Sequence, residues 1–305
     1  MDKHRHLPFI LFINMAVPVF MMITGYNFAM STERKTDGSF KQMYSKEQIW
    51  PKLVRFIKPF IPVYIIEIIL LLVTKEKYNF LLLFFEGGIG PGSYYVPCLV
   101  QFLFVFPVIY ALVKKNALLG IGVSGLVNLA FEIAIMVLPI PYQGYRLAIL
   151  RYLLLISLGV ALWVYRESRI KTWQLVTMFV IGLGYCFGIV WKDVDIGLFK
   201  WWKPTTFPIA FYIFPVYVML ARLFFDKHIP GKVGQFIATI GKASYHIFLT
   251  QMVYYHFELG GFIMKQEWYF AVPFNIVVSV TVGIIFYYCE NRLGKKMADR
   301  RRTNL

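Results

Sequence analysis

Nine stretches of about 20 largely apolar residues follow one another along this chain, each long enough to cross about 30 Å of hydrocarbon as a helix. They fall at about 7–30, 57–74, 95–113, 117–138, 146–165, 172–190, 205–225, 236–258 and 270–289. Lipid offers no partner to a backbone N–H or C=O, so such segments close their hydrogen bonds internally. The predicted fold class is all-α integral membrane, a polytopic helical bundle of about nine spans. Of the 305 residues 58% are hydrophobic and 16% charged, where a soluble domain carries about 25% charged residues. That imbalance excludes a soluble globule and a disordered chain, and three cysteines exclude a disulfide-built secreted scaffold.

Between the spans little else has room to fold. The apolar run Tyr78–Phe85 is too short to cross and is expected to lie at the interface, leading into a Gly/Pro-rich ordered loop, GGIGPGSYY (87–95). The run KEQIWPKLVRFIKPF, just before and into the second span, is expected to form an interfacial helix with basic residues against headgroups. The organisation predicted is one membrane domain over 1–305, with 291–305 as a basic cytoplasmic tail.

The net charge is +16. In a soluble protein that excess points to nucleic acid; here the cations crowd one set of inter-span loops, so no nucleic-acid partner is expected. Of the 32 Lys and Arg residues, 22 fall on the side holding 31–58, 114–116, 166–171, 222–242 and the tail, and 10 on the other. The positive-inside rule makes the first side cytoplasmic. Nine crossings with an inner C-terminus put the N-terminus of this chain outside. Its start, MDKHRHLPF, has no cleavable signal ahead of it and a cationic flank of the kind that stays inside. Either the first span inserts against its local charge, or an earlier, inward-starting helix belongs before it; the second is the expectation preferred on topology.

Signatures of soluble enzymes such as GxxxxGK[ST], GxSxG, HExxH and CxxC are missing. Cys98, Cys186 and Cys289 are scattered through spans, and no metal site is expected. Any chemistry rests on polar residues within spans, which are costly enough to be functional suspects. Glu132 and Arg151 flank the short PIPYQG turn at similar depth, so an ion pair is expected. It reads either as a structural clamp between two spans or as the charged wall of a substrate cavity. Glu67 sits within IPVYIIEIILLL with no partner close in sequence, and is expected to face a wet interior. Lys52, Arg55 and Lys58 follow one another at three-residue steps. They are either ordinary inner anchors or a cationic mouth for a phosphate-bearing ligand. Ser244, His246, Gln251 and His256 share one span without the spacing of a Ser/His/Asp arrangement. His4 and His6 read as a polar tail and Asn14 as a packing or cavity hydrogen-bonder.

Five stretches, taken in order, resemble one family. NMAVPVFMMITGYNFAMS (14–31) is similar to the VPxFFxxSGY helix of membrane acyltransferases of the acyltransferase-3 type. PKLVRFIKPFIPVY resembles that family's R-x-x-R entrance, and GPGSYYVPCLVQFLFVFPVIY (90–110) its WFLxxLxxxYxxxPxL segment. IGKASYHIFLTQ (240–251) is similar to its LGxxSYxIYLxH helix, and YYCENRLGKK (287–296) to its terminal E-x-P/L-x-K.

The resemblance implies a bundle of ten spans that moves an acyl group, usually acetyl, from acyl-CoA to a hydroxyl. In bacterial relatives that hydroxyl belongs to a cell-surface or exopolysaccharide sugar, or to its lipid-linked precursor. It implies acetyl-CoA as a donor substrate with no permanently bound cofactor, and membrane lipid, acyl-CoA and surface or lipid-linked glycan as partners, in the cell membrane. Lys52 and Arg55 match the donor entrance, which Lys58 extends; Tyr94 and Tyr95 match the aromatic loop. With Glu132, Arg151 and Gln251 those tyrosines make up the expected acceptor cavity. Two departures stand out: Gln251 replaces a frequent His, and Lys52 an Arg. The family's first helix, with its Arg and the His taken as catalytic, has no counterpart in this chain, so the catalytic residue stays unassigned. The alternatives are a transporter or flippase-like protein without covalent chemistry, or an inactive truncated acyltransferase.

Overall fold

The computed structural model describes residues 16–35, 39–167, 170–191, 207–224 and 229–303. His4, His6 and Asn14 lie outside the described residues. Among the described residues nine principal helices carry the fold: α1 (Ala16–Lys35), α2 (Lys46–Thr74), α3 (Tyr95–Lys115), α4 (Ala117–Val137), α5 (Leu153–Val164), α6 (Thr172–Trp191), α7 (Ala210–Phe224), α8 (Gly231–His256) and α9 (Trp268–Thr303). Among the described residues there is no strand. Each predicted span meets one of these helices. Among the described residues five segments are long and apolar enough to cross a membrane, namely Phe40–Thr74, Tyr95–Lys115, Ala117–Val137, Phe207–Phe224 and Tyr269–Lys296; Ile149–Val164 and Thr172–Gly188 are apolar but shorter. The protein is an all-α polytopic membrane protein.

The burial pattern is that of helices solvated by lipid. On α4 the buried positions are Gly120, Ser124, Asn128, Glu132 and Ile135, while Leu118, Leu126 and Val137 are exposed. The polar residues recur every four positions, which places them on one face of a helix. α2 buries Phe56, Phe60, Val63, Glu67 and Leu71 and exposes Ile61, Ile65, Ile69 and Leu72. Water would penalise those exposed rows, whereas lipid does not.

Helical contacts group the residues into two compact units, Met1–Lys52 with Cys98–Lys227, and Leu53–Pro97 with His228–Leu305. In the first, α5 is the centre: every residue from Arg151 to Val160 is buried. It meets α1 through glycines on both helices. A Cβ at Gly25 would lie 2.5 Å from the Ile156 carbonyl oxygen, and one at Gly159 would meet the Met22 carbonyl. Small residues of this kind let helix backbones touch in membranes, where packing drives association. α4 starts on Asn116, whose side chain accepts from the Leu119 N–H at 3.0 Å. That bond satisfies one of the helix's unpaired N-terminal donors.

Basic helix ends of this unit meet at one end. Arg166, just past α5, pairs with Glu33 of α1 at 3.0 Å and covers the Trp163 ring at 4.3 Å. Tyr165 donates to the Val113 carbonyl of α3, and Arg222 of α7 to the Ile170 carbonyl ahead of α6.

In the second unit α8 and α9 pack together, with Gly283 facing the Ile247 backbone. The short helix Phe80–Phe85, capped by Asn79 at 3.1 Å, occupies part of the segment expected at the interface. Two expectations are corrected. The run KEQIWPKLVRFIKPF is helical, but it is the start of α2, which continues from Lys46 through Thr74 without interruption, and not a helix set apart from the second span. The predicted span 146–165 is broken: a short helix Tyr142–Leu147, an extended Ala148 and a 3-10 turn Ile149–Tyr152 precede α5. The basic C-terminal run continues α9 as helix through Thr303.

Candidate functional site

Within the first unit the polar residues gather where the helix is broken. A broken helix frees backbone groups, which in a membrane must find partners inside the protein. Gln101 of α3 supplies both: its Nε2 donates to the Leu147 carbonyl at 2.8 Å, and its Oε1 accepts from the Ile149 N–H at 3.1 Å. Cys98, one turn earlier, places Sγ 3.4 Å from the same carbonyl. Two residues beyond the pinned Ile149, Arg151 is 4% exposed, and Glu132 on α4 is 3% exposed.

Tyr145 joins the two. Its O–H lies 3.0 Å from each Glu132 carboxylate oxygen, and the Arg151 guanidinium stands 4.4 Å above its ring. The Phe131 ring lies nearly parallel to that of Tyr145, with the centroids 6.1 Å apart. The structure therefore brings Glu132 and Arg151 to one phenol that the sequence reading did not single out. Below them on the same face of α4 lie buried Asn128 and Ser124, also unremarked. Their four-residue repeat with Glu132 and Gly120, inside an otherwise apolar helix, is the signal that would have found them. The run Gly120–Gly125 spells G-x-G-x-x-G, but it lies inside α4 with no strand before it and carries no dinucleotide-binding reading.

In the second unit Glu67 is fully buried, not turned toward a wet interior. Its Oε1 accepts from the Ile89 N–H at 3.2 Å. The residue that admits it is Gly88, at φ +91°, where a Cβ would stand 2.5 Å and 2.8 Å from the two carboxylate oxygens. The loop around it turns on Gly87, Gly88, Gly90 and Gly92, all at positive φ. Gly88→Ala is expected to cost about 1–3 kcal/mol from backbone strain alone, before any displacement of Glu67. A lower midpoint in thermal unfolding of the detergent-purified protein checks it; an unchanged midpoint would mean that the loop does not need glycine there.

That loop delivers Tyr94, half-buried, and Tyr95, which is buried with its ring 5.0 Å from Phe248 and 6.4 Å from Tyr245 on α8. Gln251 is half-buried on α8, next to Met252, whose carbonyl backs Gly90. The expected acceptor residues are thus divided: Glu132 and Arg151 belong to the first unit, and Tyr94, Tyr95 and Gln251 to the second. His246 is a hydrogen-bonded buried imidazole, with Nε2 2.6 Å from Glu290. His256 is less enclosed, with Nε2 3.9 Å from Glu76.

The three cations at the start of α2 have different surroundings. Lys52 is half-buried with its ammonium 4.8 Å from the Phe28 ring centroid. Lys58 pairs with Glu290 at 3.1 Å. Arg55 is exposed, and no hydrogen bond or ion pair holds it among the described residues.

A model of the acyltransferase-3 family, described as an acyltransferase domain, matches residues 2–288. The chain belongs to that family and is a membrane acyltransferase of the class that transfers groups other than amino-acyl groups. No curated protein and no solved structure matches it.

Proposed function

We propose that this acyltransferase moves an acetyl group from acetyl-CoA to a hydroxyl of a cell-surface or exopolysaccharide sugar, or of its lipid-linked precursor. It does so in the cell membrane, with its basic loops and C-terminal end in the cytoplasm and the first residues of the chain outside. The observation that carries the reading is Arg55, an exposed guanidinium without a partner among the described residues, flanked along α2 by Lys52 and Lys58. A planar guanidinium fork fits phosphate oxygens, and coenzyme A offers several phosphates on the cytoplasmic side. The clustering of basic helix ends supports that orientation.

In the reaction the thioester C–S bond breaks, an ester C–O bond forms, the acceptor's hydroxyl proton leaves, and coenzyme A departs as the thiol. The acceptor needs groups that bind hydroxyls. The polar face of α4 carries Glu132, which meets Tyr145, and Asn128 one turn away, and so offers a carboxylate, an aromatic ring and an amide for a sugar. The aromatic loop with Tyr94 and Tyr95, and Gln251, are assigned to the acceptor by family likeness.

Arg55→Ala is expected to raise KM for acetyl-CoA about tenfold or more, the worth of a charge-assisted hydrogen bond. The assay is transfer of labelled acetyl into glycan by membranes holding equal amounts of the two proteins. Equal KM and equal rate would remove the donor assignment.

A further inference from the structure

Lys58 stands one turn beyond Arg55 on α2, yet its charge is already answered. Its Nζ lies 3.1 Å from Glu290 Oε1, and the other carboxylate oxygen, Oε2, lies 2.6 Å from His246 Nε2. Three helices of the second unit, α2, α8 and α9, meet at this one carboxylate. We propose that Glu290 is an internal anion occupying the phosphate position of Lys58, and that the phosphate-bearing donor must displace it. This rests on the donor reading above and names the residue that competes with the donor.

Exposure, geometry and charge each support an exchangeable anion. The Lys58 side chain is 43% exposed and that of Glu290 19%. An ion pair with that much contact with water is weak and opens readily, and an ammonium has further N–H donors to offer. Gly294 of α9 sits beside the ammonium, where a Cβ would lie 3.4 Å from Nζ. A side chain at that position would crowd the approach. The exposed cations nearby in sequence are Arg55 on α2, Lys242 on α8, and Arg292, Lys295 and Lys296 on α9. A polyanion brings several charges into this basic region, whereas Glu290 offers a single charge.

His246 keeps the displaced carboxylate from following Lys58. It is 7% exposed, and its ring stands 4.9 Å from Phe286 and 5.3 Å from Tyr287. Its Nδ1 is buried with no partner among the described residues, so the ring's hydrogen bonding runs to Glu290. When phosphate takes Lys58, Glu290 keeps this bond and stays on α9. His246 is thus a positioning residue for Glu290, and through it for the donor site.

The test is equilibrium binding of coenzyme A to the full-length protein in detergent or nanodiscs. Glu290→Gln keeps the shape and removes the charge, so binding tightens by about fivefold, the order expected for one partly screened charge. Glu290→Asp, with its carboxylate drawn back from Lys58, moves in the same direction by less and serves if the glutamine variant does not accumulate. In a Lys58→Gln background the effect of Glu290→Gln disappears. His246→Leu weakens binding when Glu290 is present and leaves it unchanged in Glu290→Gln. Unchanged or weaker binding in both Glu290 variants overturns the proposal. If Arg55→Ala still weakens binding in that case, the donor reading stands and only the internal anion falls. Binding indifferent to Arg55 as well removes both.

Discussion

Gly159→Leu is expected to eliminate the folded protein. α1 and α5 approach through backbone atoms: a Cβ at Gly159 meets the Met22 carbonyl, and one at Gly25 comes within 2.5 Å of the Ile156 carbonyl oxygen. Neither obstacle is the tip of a side chain that can swing away. A leucine there forces apart the two helices whose contact builds the centre of the first unit. Overpacking typically costs about 1–3 kcal/mol, and more where backbone must move. A loss above about 3 kcal/mol is a large share of the stability of any domain. Size-exclusion profiles of a fluorescent fusion read the outcome as loss of the monodisperse peak. Gly184→Leu on α6 is the matched control, because a Cβ there meets nothing within 4 Å, and it should behave as wild type. Equal peaks for both leucine variants would refute the close approach of α1 and α5.

Glu132→Ala should be the most damaging change in the polar cluster. It leaves the Tyr145 hydroxyl without its carboxylate and the buried Arg151 without that neighbouring negative charge. Removing one member of a buried charged group costs about 3–5 kcal/mol, because the remaining charge stays desolvated. Glu132→Gln keeps an acceptor for the phenol and should lose less stability. If the cluster receives the acceptor, acetyl transfer falls at least about a hundredfold in the alanine variant, the scale of a lost buried polar contact to substrate. Thermal unfolding and transfer per folded molecule separate the two effects. An alanine variant with wild-type midpoint and wild-type transfer would strip the cluster of both roles.

The positions of the helices were legible because hydropathy reports the transfer cost of a whole segment. Span 117–138 became α4 at Ala117–Val137, and 172–190 became α6 at Thr172–Trp191. The break before α5 was not legible. LAILRYLLLISL is apolar on both sides of Ala148, no proline or glycine marks the change, and the groups that stabilise it come from Gln101, more than forty residues away.

The site shows the same division. Glu132, Arg151 and Glu67 announced themselves as charges where charge is expensive. Tyr145 is one aromatic among many near the ends of spans, and only the fold reveals its contacts. Glu67 looked solitary because its partners, Gly88 and Ile89, arrive from a separate loop. The His246–Glu290–Lys58 connection joins three helices and has no expression in local spacing.

α5 is twelve residues long, a rise of about 18 Å in a hydrocarbon layer of about 30 Å. The remaining depth along that segment is bridged by interrupted backbone carrying an arginine and tyrosines. An unbroken apolar helix therefore makes only part of the crossing here, and the rest is made by backbone dipoles and a buried cation whose partners the protein itself has to supply.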